Sequence, residues 1–85
     1  MTSPPSAVTS TEILGRALRD ARREQKLTQG DLARAAGITQ ATASKVERAV
    51  TPPGIDTILR VLAALRLELV LRPRPEQLPK ATWED

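Results

Sequence analysis

TQGDLARAAGITQATASKVE, residues 28–47, decides how this chain is read. Thr28 is a good N-cap with Asp31 three positions on, the arrangement of a capping box. Leu32, Ala33 and Ala36 share one helical face, and Gly37 permits the left-handed residue that a helix end needs. Thr39 then caps a second helix, Gln40 to about Arg48, whose Ala43 and Val46 point inward. Ala41, Ser44, Lys45 and Arg48 lie opposite, with Gln40 near the exposed N-terminal end. That outer face is small and polar, and it carries little of the charge that usually keeps a surface helix wet. Such a face needs a reason to be on the surface.

Reading outward, residues 1–10 are rich in Pro, Ser and Thr and form an expected disordered leader. Ser10 or Thr11 can cap a first helix running to about Gln25, with Leu14, Ala17, Leu18 and Ala21 inward. Arg16, Arg19, Arg23 and Lys26 fall mostly outside, where a solvated face and phosphate contact account for them equally well. TPPG at 51–54 breaks the chain. A fourth helix is expected from about Ile55 to Leu65, its apolar stripe being Ile55, Ile58, Leu59, Leu62 and Leu65. In LRLELVLR, residues 65–72, the period changes: Leu67, Leu69 and Leu71 alternate with Glu68, Val70 and Arg72, a strand pattern. From Pro73 the sequence is Pro-rich and charged. The expected division is a leader (1–10), one all-α domain of four to five helices with a C-terminal dimerisation strand (11–72), and a flexible tail (73–85).

Composition limits the chemistry. Eighty-five residues make one domain at most, and a core this small gains from an added subunit. There is no Cys and no His, which removes disulfides, thiolate sites and the commonest general base. No pair of carboxylates stands in a recognisable catalytic or metal-binding pattern and no Gly-rich phosphate loop is present, so neither enzyme activity nor a metal or cofactor is expected. The apolar run near Leu59–Leu71 is interrupted by Arg60, Arg66 and Glu68. The N-terminus lacks the basic and apolar regions of a secretory signal, and a cytoplasmic location is expected. The net charge of +3 is uneven. Residues 1–48 hold eight Lys/Arg against five acids, and residues 49–85 hold five against five, so the excess sits with the opening motif. Nucleic acid is one partner that fits this asymmetry.

Two helices joined through a Gly turn, the second presenting small polar side chains, resemble the helix-turn-helix of Cro/C1-type (Xre family) DNA-binding domains. The resemblance spans about Ile13 to Leu65 and rests on LTQGDLA, GITQATASKVE and the leucine-rich helix after them. It implies double-stranded DNA as the partner and supplies the missing reason. A helix entering the major groove must bring its backbone close, which excludes bulky and acidic side chains from its outer face. Gln40 can bond bidentately to adenine, Ala41 and the Thr39 methyl can touch a thymine methyl, Ser44 suits several base edges, and Lys45 can reach a guanine or a phosphate. The resemblance also assigns Thr28, Gln29, Arg48 and Thr51 to backbone phosphates. It makes Arg22 and Glu47 a structural salt bridge between the first helix and the end of the third. Two residues depart from the family pattern. Ala43 replaces a branched aliphatic residue, and Ala49 replaces a frequent Gly or Asn at the exit from the third helix.

A lone strand cannot satisfy its own backbone, so residues 67–72, with Leu67, Leu69, Val70 and Leu71, are expected to pair antiparallel with a second copy. The alternative is that residues 66–72 extend the fourth helix. A helix followed by a strand, TQATAS and a near-terminal Trp also resemble HipB-type antitoxins. That resemblance implies a homodimeric repressor that acts on its own palindromic operator and neutralises a HipA-like kinase toxin. Trp83, the one aromatic residue in the chain, is then a docking candidate for the toxin, since Trp is enriched at interface hot spots. Two other readings remain: a stand-alone Xre-family transcriptional regulator, and a DNA-independent adaptor.

Overall fold

The computed structural model describes residues 7–74. Four helices appear in order: α1 (Thr11–Glu24), α2 (Gln29–Ala36), α3 (Gln40–Arg48) and α4 (Ile55–Ala64). Local chemistry sets where they begin. The Ser10 side chain accepts from the Ile13 N–H, and Thr39 accepts from Thr42. Thr28 and Asp31 complete the reciprocal capping box, at 3.0 and 2.9 Å.

All four helices end alike. Lys26, Gly37, Ala49 and Arg66 each have φ between 55 and 70°. The residue after each donates its N–H back to the start of the last turn: Leu27 to Arg22, Ile38 to Ala33, Val50 to Lys45 and Leu67 to Leu62. These are Schellman closures, each followed by an apolar residue. Gly37 alone takes this conformation without steric strain; the other three are L-residues in a region that Cβ disfavours. The closure at Leu67 also ends α4 before the alternating segment, so residues 66–72 do not extend that helix.

The core is assembled from every helix: Leu18 of α1, Leu32, Ala33 and Ala36 of α2, Ala43 and Val46 of α3, and Ile58, Val61 and Leu62 of α4, with Leu65 behind them. Ala43 is completely buried, so the light residue at that position is closely surrounded. Gly15 is buried where α1 meets the end of α3. A Cβ on it would lie 2.6 Å from the Glu47 carbonyl oxygen and 2.8 Å from that of Val46. The ends of α1 and α4 are tied by the Gln25 carboxamide, which donates to the Leu65 carbonyl at 2.7 Å.

Two expectations are corrected. Ala17 is exposed, because the buried arc of α1 runs through Gly15, Leu18 and Arg22. Ile55 and Leu59 are 63% and 47% exposed, while Val61 is buried. The inward stripe of α4 is Ile58, Val61, Leu62 and Leu65, and residues 55 and 59 sit roughly a quarter-turn away from it. Within the single chain, residues 67–74 form neither helix nor strand. The described residues provide no second strand to complete a ladder, and the Leu67 N–H is already used by the Leu62 carbonyl at 2.8 Å. Leu69, Val70 and Leu71 stay exposed.

Candidate nucleic-acid interface

The outer face of α3 is built from its N-terminus. Thr39 turns into the helix from extended backbone, and its hydroxyl is doubly engaged: Oγ1 accepts the Thr42 N–H at 3.1 Å and donates to Thr42 Oγ1 at 2.9 Å. Its methyl is the part left for other contacts. Gln40 and Ala41 follow, both exposed. A Cβ on Gly30 would lie 3.7 Å from Gln40 Oε1, so the Gln40 carboxamide rests beside the first turn of α2. Ser44 is half-buried, and its hydroxyl accepts from Arg48 Nε at 3.1 Å; Lys45 and Arg48 are exposed. No acid occupies the first turn of α3. Thr39, Gln40, Ala41, Ser44 and Lys45 therefore share one surface, and its polarity comes from hydrogen-bonding groups rather than carboxylates.

The residues expected at phosphates divide into two groups. Thr28 and Gln29 start α2, while Arg48 and the exposed Thr51 lie at the far end of α3 and just beyond it. The Thr28 oxygen is occupied as acceptor for the Asp31 N–H. Gln29 is more constrained than its place in the sequence suggests. Its Nε2 donates to Glu47 Oε1 at 3.2 Å, so one of its protons is turned into the protein.

Behind this surface lies the buried pair. Arg22 Nε and Nη2 donate to the two Glu47 oxygens at 2.6 and 3.0 Å, and Nη1 donates to the Leu27 carbonyl at 2.8 Å. The Glu47 side chain is 2% exposed and that of Arg22 10%. The Glu47 hydrogen bonds raise the Arg22 pKa above its ordinary value, against the opposing effect of burial. Asp31 moves the other way: hydrogen bonds from the Thr28 backbone N–H and side chain, then the Arg34 charge, hold its carboxyl below the usual range. Arg34 closes on it at 2.6 Å. The acid nearest the start of α2 is thus already neutralised by a cation.

Three features escaped the sequence reading. Gln29 joining the Arg22–Glu47 pair had no local signal. Thr42 holding the Thr39 hydroxyl could have been found as a second Thr three residues after an N-cap. Gly15 did give a signal, since a glycine inside an amphipathic helix asks for a close approach. Trp83 lies outside the described residues. Among the described residues no group of three acids could hold a metal ion, and no helix is long and apolar enough to cross a membrane.

This geometry defines a class. Residues 18–71 match the helix-turn-helix family HTH_3, and the chain belongs to that family, with the all-α fold of its Cro/C1-type DNA-binding transcriptional regulators, which are not enzymes. Within the class, the chain is 41% identical over 64 residues to the HTH-type transcriptional regulator y4dL of Sinorhizobium fredii (strain NBRC 101917 / NGR234). That match takes in 75% of this chain and 33% of the relative, so the chain spans about a third of that protein's length. A HipB–O2 20mer complex has a similar structure, with a TM-score of 0.79 at 28% identity over 85% of this chain and 100% of that one. A HipA–HipB–O2–O3 complex gives 0.77 at 28% identity, over 82% and 99%.

Proposed function

We propose that this chain is a dimeric, sequence-specific repressor that acts on a palindromic operator and serves as the antitoxin of a HipBA-type module, with a HipA-like kinase toxin as its partner. One observation carries the DNA-binding part: the outer face of α3 is small, hydrogen-bonding and free of acids, on a helix whose other side is fully buried. Thr39, Gln40, Ala41, Ser44 and Lys45 read bases, while Thr28, Gln29, Arg48 and Thr51 hold phosphates. The antitoxin part is supported by likeness over the full length of the chain in the HipB–O2 complex, and by the HipA in the other complex. The likeness to y4dL supports a second reading, a transcriptional regulator with no toxin partner.

Dimerisation rests on the segment after α4. The Leu67 N–H is spent inside the chain and Pro73 has none, which leaves 68–72 as the run able to pair. Its midpoint is Val70. An antiparallel self-pair centred there sets Glu68 against Arg72 twice and Leu69 against Leu71, each opposite-charge pair contributing about 0.2–1 kcal/mol. Centring on Leu69 would set Arg66 against Arg72. The two α3 helices then stand one DNA turn apart, about 34 Å.

Three experiments separate these readings. An electrophoretic shift on the DNA upstream of its own reading frame tests the repressor, and capture of the product of a neighbouring kinase-like gene tests the antitoxin. A shift without any such partner supports the stand-alone regulator, and capture without a shift supports the adaptor. For the register, Glu68→Lys should weaken the dimer in sedimentation and Glu68→Lys with Arg72→Glu should restore it. Equal behaviour of both variants and the parent would refute pairing about Val70.

A further inference from the structure

We propose that the arginine-lined trough between α1 and the end of α3 is a second phosphate-binding surface, which grips the DNA backbone beside the groove that α3 enters. The proposal rests on the DNA-binding reading above and adds residues to it. Two open hollows, of about 260 and 270 Å³, lie side by side along α1 and share Arg19, Glu47 and Arg48. Arg16 extends the first, and Arg23 and Gln29 extend the second.

The charge of this trough is not balanced from within. Both Glu47 oxygens are taken by Arg22, and one also accepts from Gln29, so the floor is close to neutral. The ion pairs among the described residues are Arg22–Glu47, Arg34–Asp31 and Arg60–Asp56. Arg16, Arg19, Arg23 and Arg48 have none. On α1, Arg16 and Arg19 are three apart and Arg19 and Arg23 four apart, spacings at which like charges destabilise a helix. Glu12 and Asp20 each stand four positions from Arg16, and Asp20 three from Arg23, yet none of them closes to an ion pair with these arginines. Glu12 is the one acid on the rim, and it is exposed. Four guanidinium groups gathered on one trough without an ion-pair partner suit an anion.

The occupant is the phosphate backbone, because the trough is continuous with the reading face. Arg48 ends the outer stripe of α3 and also lines the trough, and Gln29, the first residue of α2, closes its other end. A duplex against α3 lays a row of evenly spaced phosphates along its groove walls. Planar guanidinium forks match the oxygens of such a row bidentately.

The test uses the full chain and a mixed-sequence duplex of about three helical turns, since phosphate contacts do not depend on sequence. Binding is measured across a salt series for the parent, for Arg19→Gln with Arg23→Gln, and for Arg60→Gln with Arg66→Gln, which removes the same charge outside the trough. Each lost phosphate contact lowers the slope of log K against log salt by about 0.9. The trough variant should therefore lose between one and two such steps more than the control, while melting no lower than the parent. Arg19→Lys with Arg23→Lys should recover most of the slope. A trough variant whose slope matches the control overturns the proposal, and weakened capture of a kinase-like partner with that slope would assign the trough to protein instead. Absence of any duplex binding by the parent would overturn the DNA-binding reading itself, whereas parent binding with no trough effect removes this surface alone.

Discussion

Removing Arg22 should cost far more than deleting a surface arginine, and the structure says how the loss divides. The guanidinium makes three hydrogen bonds, two to Glu47 and one to the Leu27 carbonyl. In Arg22→Ala the Glu47 carboxylate, 2% exposed, would keep only the 3.2 Å bond from Gln29. Stranding a buried charge in this way costs about 3–5 kcal/mol. A small domain with total stability near the lower end of roughly 5–15 kcal/mol would be left close to its folding midpoint. Replacing both partners tells a different story. Arg22→Met with Glu47→Leu removes the charge and its stranding together, and substitutions of that kind are often neutral or stabilising. Urea unfolding followed by circular dichroism, without DNA, should place the double variant within about 1 kcal/mol of the parent and the single variant several below it. Equal losses in the single and double variants would refute the reasoning, because the loss would then lie in packing of the arginine stem rather than in an uncompensated carboxylate.

Gln40→Ala should cost about 1–3 kcal/mol on the operator and relax preference at one base pair per half-site, leaving binding to random DNA nearly unchanged; equal loss on both would show that Gln40 reads no base. Ala49→Gly relieves an L-residue at φ 55°, and it should raise stability by roughly 0.5–1 kcal/mol and the melting temperature by a few degrees; an unchanged or lower Tm would deny the strain. Gly15→Ala should do the reverse of what helix propensity predicts, since its Cβ would meet two backbone oxygens inside 3 Å, and a loss of about 1–3 kcal/mol is expected; a gain in Tm would show that α1 and α3 separate without strain.

What the sequence made legible is what neighbouring residues encode. Thr28 with Asp31, Thr39 and Gly37 mark helix ends by chemistry within one turn, and both ends of α2 and the start of α3 fall where those residues place them. The other closures were hidden because Lys26, Ala49 and Arg66 carry no sign of a left-handed backbone. The facing of α4 was misread for a related reason. Ile55 and Leu59 are as apolar as Ile58 and Leu62, so the pattern has a stripe too wide to say which edge is covered. At the site, the residue types on the face of α3 were legible from spacing. The Arg22–Glu47 pair, 25 positions apart, came only from resemblance, and the attachment of Gln29 to it came only from the structure.

The same facts explain how a helix with such a thin outer face can stay folded. Nine residues are too few for a helix to hold itself in water. The stabilising interactions of α3 are therefore placed on its other surfaces. Thr39 caps its start, Ala43 and Val46 fill the core, and Glu47 fastens its last turn to α1 and, through Gln29, to α2. Gly15 lets α1 lie directly against the carbonyls of Val46 and Glu47. None of these interactions uses the Gln40, Ala41 or Lys45 side chains. Changes at those three positions should accordingly alter which DNA is bound while leaving stability within about 0.5 kcal/mol, the usual range for surface substitutions away from a fold's fixed points. A helix anchored at its cap, its inner face and its last turn leaves its outer face free to be shaped by the groove.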